Sequence, residues 1–328
     1  MSVGTVSMAL NRKNGISEST RRRILDTAES LGYERSAGRS SRNASIISVV
    51  IEQLPVSPTS DPFNRPILLS LETVARRAGY RVALEFVGPG DEPQGERWTR
   101  DSSAGIIILG GGDLSPDRVR AAVGSNVPVV MVDHFVPSLE LPTIVPDNLG
   151  GAYSATQHLL DMGHKRIGFI RGPSKYWTLS ERMAGYLLAM QQSGLSIDPE
   201  LIPPRVSHGE HKGYGEMQHL LALRKPPTAV FAVSDKTAMG AYKAVLDQGL
   251  SIPKDVSIVG FDNIAEARSL NPPLTTVEVS GEIMGHMAID RLLRLINEDN
   301  LRRATILKWT MPTKLVERES VRDLSRRI

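Results

Sequence analysis

The chain has 328 residues, of which 41% are hydrophobic and 23% charged, and it has no cysteine. This length predicts two or three domains at roughly 150 residues each. The missing cysteines exclude disulfides, thiolate zinc sites, iron–sulfur clusters and cysteine nucleophiles, and they favour a cytoplasmic location. There is no apolar run long enough to span a bilayer and no secretory signal at the start, so neither a membrane partner nor export is predicted.

The net charge of +3 is concentrated near the N-terminus. Residues 1–45 hold eight Lys or Arg against four Asp or Glu, a balance of +4, so the remaining residues carry −1. This asymmetry indicates a polyanion as partner, with a solvated helix face as the alternative.

The first 45 residues predict two short helices and a linker. The helices are predicted at residues 3–10 and 21–31, with Ser2 and Ser17 as N-caps and Gly15 marking the break between them. Residues 34–45 are rich in Ser, Arg, Gly and Asn, a composition typical of a linker.

From residue 46 onwards, apolar β-branched runs alternate with amphipathic stretches. Strands are predicted at residues 46–51, 81–86, 105–109, 127–133, 166–171, 229–234, 257–262 and 275–279. Helices are predicted at residues 67–78, 116–123, 150–162, 181–193, 214–223 and 236–248. This alternation predicts an α/β fold with parallel sheets covered by helices on both faces.

Acidic residues follow several of these apolar runs: Asp133, Asp147, Asp235 and Asp262. Ligands of such sheets bind beyond the carboxyl ends of the strands, so these positions are the first place to look for a site. Two other motifs are set aside. His208 and His211 flank Gly209 and have no evident third ligand, and Gly110-Gly111-Gly112 lacks the spacing and lysine of a phosphate-binding loop. No metal site, cofactor or catalytic residue is predicted.

Motifs in both parts of the chain resemble those of a known family. The head carries Ser2-Val3-Gly4-Thr5-Val6-Ser7, Thr20-Arg21-Arg22-Arg23 and Leu31-Gly32-Tyr33. The body carries Asp147-Asn148, Gly163-His164-Lys165-Arg166-Ile167, Glu181-Arg182, Ser234-Asp235, Val259-Gly260-Phe261-Asp262 and Pro272-Pro273-Leu274-Thr275-Thr276. In this order they resemble the LacI/GalR (lactose-repressor) family of transcription factors.

The resemblance implies a helix-turn-helix head, a hinge, and a two-lobed core like that of periplasmic sugar-binding proteins, with an effector in the cleft. The implied boundaries are residues 1–33 for a partial head, 34–45 for the hinge, 46–148 with 276–308 for the N-terminal lobe, 149–275 with 309–320 for the C-terminal lobe, and 321–328 for a tail. The tail has no leucine heptad, so no tetramerisation helix is predicted.

The resemblance also implies the DNA contacts. The helix at residues 3–10 would enter the major groove, where Ser2, Thr5, Ser7 and Asn11 would contact phosphates and Val3, Gly4 and Met8 would face the bases. Further implied contacts are Ser17, Thr20, Arg21, Arg39 and Arg42. Val3, Gly4 and Met8 have no side-chain donor or acceptor, so weak base discrimination is expected. Arg42 stands where relatives carry an apolar minor-groove wedge.

The family's first helix has no counterpart before Ser2, and two explanations stay open. Either the start codon is misplaced, or the head is truncated and the protein binds an effector without binding an operator.

Four polar core positions match effector contacts of the family: Asp147, Arg182, Asp235 and Asp262. Phe63 stands where relatives carry the Phe of an Asn-Pro-Phe motif and could stack on a ligand face, and Trp177, in the loop before Arg182, is a secondary stacking candidate. Carboxylates and a forked guanidinium suit the hydroxyl groups of a sugar or similar polyol, on which aromatic rings can stack. As an alternative, Asp147 and Asp235 are N-caps of the helices that follow. The predicted function is a ligand-responsive repressor that binds a near-palindromic operator as a homodimer. A periplasmic receptor and an unrecognised enzyme are the weaker readings.

Overall fold

The computed structural model describes residues 5–6, 9, 15–30, 45–52, 57–88, 102–110, 117, 119–120, 127–206, 212–297 and 308–325. None of the helices in these ranges has the length and apolar character needed to cross a membrane.

The described part of the head contains helix α1, Glu18–Ser30. It begins three residues earlier than predicted because the Ser17 hydroxyl accepts a hydrogen bond from the Thr20 backbone N–H at 3.3 Å, which confirms Ser17 as the cap. Residues 5, 6 and 9 are helical, in keeping with the predicted first helix; its other residues lie outside the described ranges, as does the linker apart from residue 45.

A six-stranded parallel sheet forms the centre of the first lobe, with strand order β10-β5-β4-β3-β1-β2. Its strands are β1 Ile46–Glu52, β2 Arg81–Val87, β3 Gly105–Leu109, β4 Val129–Val132, β5 Thr143–Pro146 and β10 Lys308–Met311. Helices α2, Asn64–Arg77, and α7, Gly281–Asn297, pack on each other and on this sheet. Of the helix predicted at residues 116–123, residues 117, 119 and 120 are helical and the other five lie outside the described ranges.

The second lobe is built on a three-stranded parallel sheet of order β6-β7-β8. Its strands are β6 Ile167–Ile170, β7 Ala229–Ala232 and β8 Ser257–Val259, and its helices are α3 Asn148–Asp161, α4 Trp177–Gln192, α5 Tyr214–Leu221 and α6 Asp235–Asp247. Two separate cores, one with α3 and α4 and one with α5 and α6, cover the sheet. The ring of Phe169 stacks on Tyr186 with 5.0 Å between centroids. The predicted α/β fold with parallel sheets is confirmed.

Two strands correct the predicted lobe boundaries. Strand β9, Thr276–Glu278, is predicted to belong to the first lobe, but it pairs antiparallel with β11, Lys314–Val316, and isolated bridges join Thr275 to Val259 of β8 and Glu278 to Asp262, just beyond β8. Strand β10, most of which was assigned to the second lobe, pairs with β5 in the first. Both crossings lie a few residues later than predicted, because a strand of only three or four residues carries no local signal for the sheet that it joins.

Candidate ligand-binding cleft

Arg182, on α4 of the second lobe, is only 2% exposed. Its Nη1 donates to the Val233 carbonyl at 2.8 Å and lies 2.9 Å from Asp262 Oδ1, and its Nε donates to Asn148 Oδ1 at 2.9 Å. The guanidinium also covers the ring of Phe261 at 3.8 Å. The structure thus brings together Arg182 and Asp262, two of the predicted contact residues, as a buried ion pair.

Asp133, at the end of β4, adds a carboxyl from the other lobe. Burial raises its pKa from 3.8 to about 7; the charge of Arg182 opposes this shift, and Asp262 and Glu181 add to it. Its Oδ1 is buried and has no hydrogen-bond partner among the described residues. Asp133 was not among the predicted site residues. Its position directly after a buried strand is the sequence signal by which it could have been found.

Backbone strain is concentrated beside these side chains. Among the described residues, the three non-glycine residues with positive φ are Asp133 at 53°, Asp262 at 115° and Asn263 at 53°. Such conformations are costly and persist where the surrounding structure imposes them, often at ligand sites.

The remaining two predicted acids have structural partners. Asp147 is the N-cap of α3, and its Oδ1 accepts from the Gly150 N–H at 2.8 Å, so the capping alternative is confirmed for this residue. Asp235 is not a cap, because Ser234 caps α6 instead.

Asp235 is fully buried and joins two parts of the second lobe. Its two carboxyl oxygens accept from the Ile264 N–H at 2.9 Å and from the Thr276 hydroxyl at 2.5 Å. Burial raises its pKa to about 8, and the charge of Asp262 adds to this shift. Since both oxygens have protein partners, the contacts of Asp235 tie the start of α6 to β9.

The two predicted aromatic residues lie on different lobes. Phe63 is half-buried next to the first core, and its N–H donates to Asp61 Oδ1 at 3.0 Å. Trp177, the first residue of α4, is 41% exposed, and its ring meets Phe135 of the first lobe edge-on at 5.8 Å. Trp177 therefore retains accessible ring surface at the rim of the cleft.

Charge pairs that were not predicted cross the cleft from lobe to lobe. Glu52, at the end of β1, accepts from Lys175 Nζ at 2.9 Å and from the Tyr176 hydroxyl at 2.8 and 2.9 Å, and Asp61 pairs with Lys236. Burial, together with the charge of Glu52, raises the pKa of Tyr176, so its hydroxyl keeps the proton that it donates. The acids are buried and their lysines partly exposed. Acids of the first lobe thus face cations of the second.

In the head, the structure describes four of the predicted DNA contacts. Thr5 is helical, Ser17 and Thr20 share the cap described above, and Arg21 Nη1 donates to the Ala9 carbonyl at 3.5 Å. Ser2, Val3, Gly4, Ser7, Met8, Asn11, Arg39 and Arg42 lie outside the described ranges, as do His208 and His211. Within those ranges no group of three His, Cys, Asp or Glu side chains has the arrangement of a metal site.

Comparison with known proteins gives consistent matches. The profile of the periplasmic binding protein-like domain matches residues 156–321. The HTH-type transcriptional repressor CytR of Escherichia coli (strain K12) is 36% identical over 337 residues, a match that covers 99% of this chain and 94% of CytR. The repressor PurR of Actinobacillus pleuropneumoniae serotype 3 (strain JL03) is 31% identical over 331 residues, covering 99% of this chain and 96% of PurR.

A solved structure, the complex of the transcriptional regulator CelR with cellobiose, has a TM-score of 0.75 and 28% identity, and it covers 97% of this chain and 95% of CelR. The curated relatives above are transcriptional repressors and not enzymes.

Proposed function

The chain belongs to the LacI family of transcriptional repressors, and we propose that it is a repressor whose affinity for operator DNA is set by a sugar or similar polyol bound between its lobes. Operator affinity and effector affinity are then coupled reciprocally, because each ligand favours one arrangement of the lobes. The observation that carries the proposal is Asp133, whose buried Oδ1 lacks a protein partner and stands near the pair of Arg182 and Asp262.

The chemistry of these groups favours hydroxyl ligands. A carboxyl group with a pKa of about 7 is partly protonated at neutral pH, so Asp133 can donate through one oxygen and accept through the other. Asp262 accepts and Arg182 donates. A neutral polyol satisfies donors and acceptors together without bringing a further charge into a buried site, which would be costly. Phe63 and Trp177 supply apolar surface for the ring of a sugar.

Asp147 and Asp235, the other two predicted contacts, have a structural role in this proposal. Asp147 and Asp235 already bind backbone N–H groups. In this proposal they hold the rim of the cleft and contact the effector only through oxygen lone pairs that remain.

A thermal-shift screen tests the proposed effector class. The panel contains cellobiose, which is bound in the CelR structure, together with monosaccharides, polyols, nucleosides and small acids. We expect a polyol or sugar to raise the melting temperature, since a ligand at a hundred times its Kd stabilises the folded state by about 2.7 kcal/mol. Arg182→Lys, which loses the forked geometry, should abolish the shift.

Arg166→Lys is the matched control, because Arg166 pairs with Asp198 and the Lys225 carbonyl, away from the cleft. It should respond to the effector as the wild type does. A panel in which no sugar or polyol stabilises the protein, or in which Arg182→Lys responds fully, would refute the proposal.

The proposal includes a homodimer that places two heads on a near-palindromic operator, with half-sites roughly one helical turn apart. Its support is an exposed apolar strip on α6, where Met239 and Leu246 are 36% and 55% exposed and lie seven residues apart, hence on one helix face.

We expect Leu246→Glu to shift the protein from dimer to monomer in sedimentation velocity, because a buried carboxylate without a partner is costly at an interface. Ile197→Glu, at another exposed apolar position, should leave the association unchanged. Equal dimerisation of both variants would show that α6 is not the interface.

A further inference from the structure

Two of the segments that cross between the lobes are bonded to each other. The first runs from β5 into α3, and the other from β10 into β11. The Asp147 N–H donates to the Met311 carbonyl at 2.7 Å, and the Thr313 hydroxyl donates to the Asp147 carbonyl at 3.4 Å. Any rotation of one lobe on the other must therefore move these two segments together.

Asn148, the next residue along the chain, connects this pair of segments to the cleft. It is buried, and its side chain uses both of its polar atoms. Its Oδ1 accepts from Arg182 Nε at 2.9 Å, and its Nδ2 donates to the Pro146 carbonyl at 3.2 Å and to Glu181 Oε2 at 3.3 Å. Asn148 is thus bonded both to the first crossing segment and to the buried Arg182.

Glu181 contacts the other crossing segment directly. Its Oε1 lies 3.2 Å from the Nζ of Lys308, the first residue of β10, and the same ammonium group stands 4.4 Å from the ring of Phe135. A partly exposed pair of this kind adds little stability by itself. Its importance is geometric, because Glu181 and Arg182 are neighbours on α4 and both contact Asn148.

We infer that Asn148 is a positioning residue that holds the guanidinium fork of Arg182 and transmits a change in its orientation to the two bonded crossing segments. The physical reason is that Asn148 and Arg182 are buried and hydrogen-bonded to each other, so Arg182 cannot turn without leaving Asn148 Oδ1 unpaired or carrying the Asn148 side chain along. The regulatory meaning of this inference rests on the proposed role of Arg182 in effector binding.

Hydrogen–deuterium exchange on the full chain without ligand tests the inference. We expect Arg182→Lys, which breaks the bond from Nε, to accelerate exchange of the backbone amides in residues 143–150 and 308–316 by roughly tenfold, which corresponds to about 1.4 kcal/mol. In an Asn148→Ala background the same substitution should leave exchange of residues 308–316 unchanged. Arg166→Lys serves as the control and should affect neither segment.

Glu181→Gln gives a second test that does not require Asn148→Ala to fold. It weakens the contact with Lys308 and should reduce the effect of Arg182→Lys on residues 308–316. The inference is overturned if Arg182→Lys leaves both segments unchanged in the wild type, or if its full effect persists in Asn148→Ala or, should that variant not fold, in Glu181→Gln. Because this assay contains no ligand, its outcome is separate from that of the effector screen.

Discussion

Replacing Arg182 with methionine is expected to lower the free energy of unfolding by about 3–5 kcal/mol, the usual cost of removing one member of a buried ion pair. The substitution removes the positive charge next to Asp262 and leaves the Val233 carbonyl and Asn148 Oδ1 without their donors. Methionine has a similar length, so the loss comes from unpaired polar groups more than from an empty volume. Chemical denaturation of the purified chain measures it.

The double variant Arg182→Met with Asp262→Asn separates charge from packing. Because it removes both charges, it should recover part of the stability lost in Arg182→Met. Arg294→Met is a control on an exposed helix pair with Asp290 and should cost less than about 1 kcal/mol. If Arg182→Met were no more harmful than Arg294→Met, the Arg182–Asp262 pair would not be a buried contact in solution.

Asp133→Asn is expected to stabilise the protein at and above neutral pH by about 4 kcal/mol at most. Burial raises the pKa of Asp133 from 3.8 to about 7, so the folded protein retains a proton that the unfolded chain releases near pH 4. The contribution of Asp133 to the free energy of unfolding is therefore highest below about pH 4, falls as the pH rises towards 7, and stays low above pH 7. Asparagine is uncharged, has nearly the same shape, and tolerates the left-handed backbone at this position.

Denaturation of wild type and Asp133→Asn between pH 5 and pH 8 checks this expectation. The gain from the substitution should grow with pH and level off above about pH 7. Asp198→Asn should instead lower stability by a constant amount over this range, because hydrogen bonds from Arg166 and the Glu200 N–H lower the pKa of Asp198 from 3.8, so its stabilising charged form is fully present from pH 5 to pH 8. A pH-independent difference between Asp133→Asn and wild type would mean that Asp133 is not buried as the structure has it.

Three strands of the first sheet, β1, β2 and β3, were predictable because most of their residues are apolar, whereas β5 and β10 were not predicted. Strand β3 has the predicted bounds, and β1 and β2 differ by one residue. Helix α7 was not predicted, although it has seventeen residues. It begins with Gly281 and carries Gly285, and glycines lower helix propensity. The close approach of α2 requires a glycine at position 285, because a Cβ there would stand 2.5 Å from the Ile67 carbonyl oxygen of α2.

The cleft was only partly predictable. Resemblance identified Arg182 and Asp262, and the strand-end rule pointed to Asp133 without selecting it. Glu52 and Lys175 are separated by 123 residues, and Asp61 and Lys236 by 175. From the sequence alone, each of these four residues looks like an ordinary surface charge, because its partner is far away along the chain.

The sequence by itself determined the α/β class, the order of most elements, the acidic strand ends and the family, because these depend on local periodicity and on motifs that are contiguous in the chain. Only the tertiary structure decided which acids are hydrogen-bonded within the protein and which keep a buried oxygen without such a bond. Asp147 and Asp235 accept bonds from protein N–H or O–H groups, whereas the buried Oδ1 of Asp133 has no partner among the described residues. The physical reason is that burial and pairing arise from contacts between distant segments, which set the pKa and the free lone pairs of each carboxyl group.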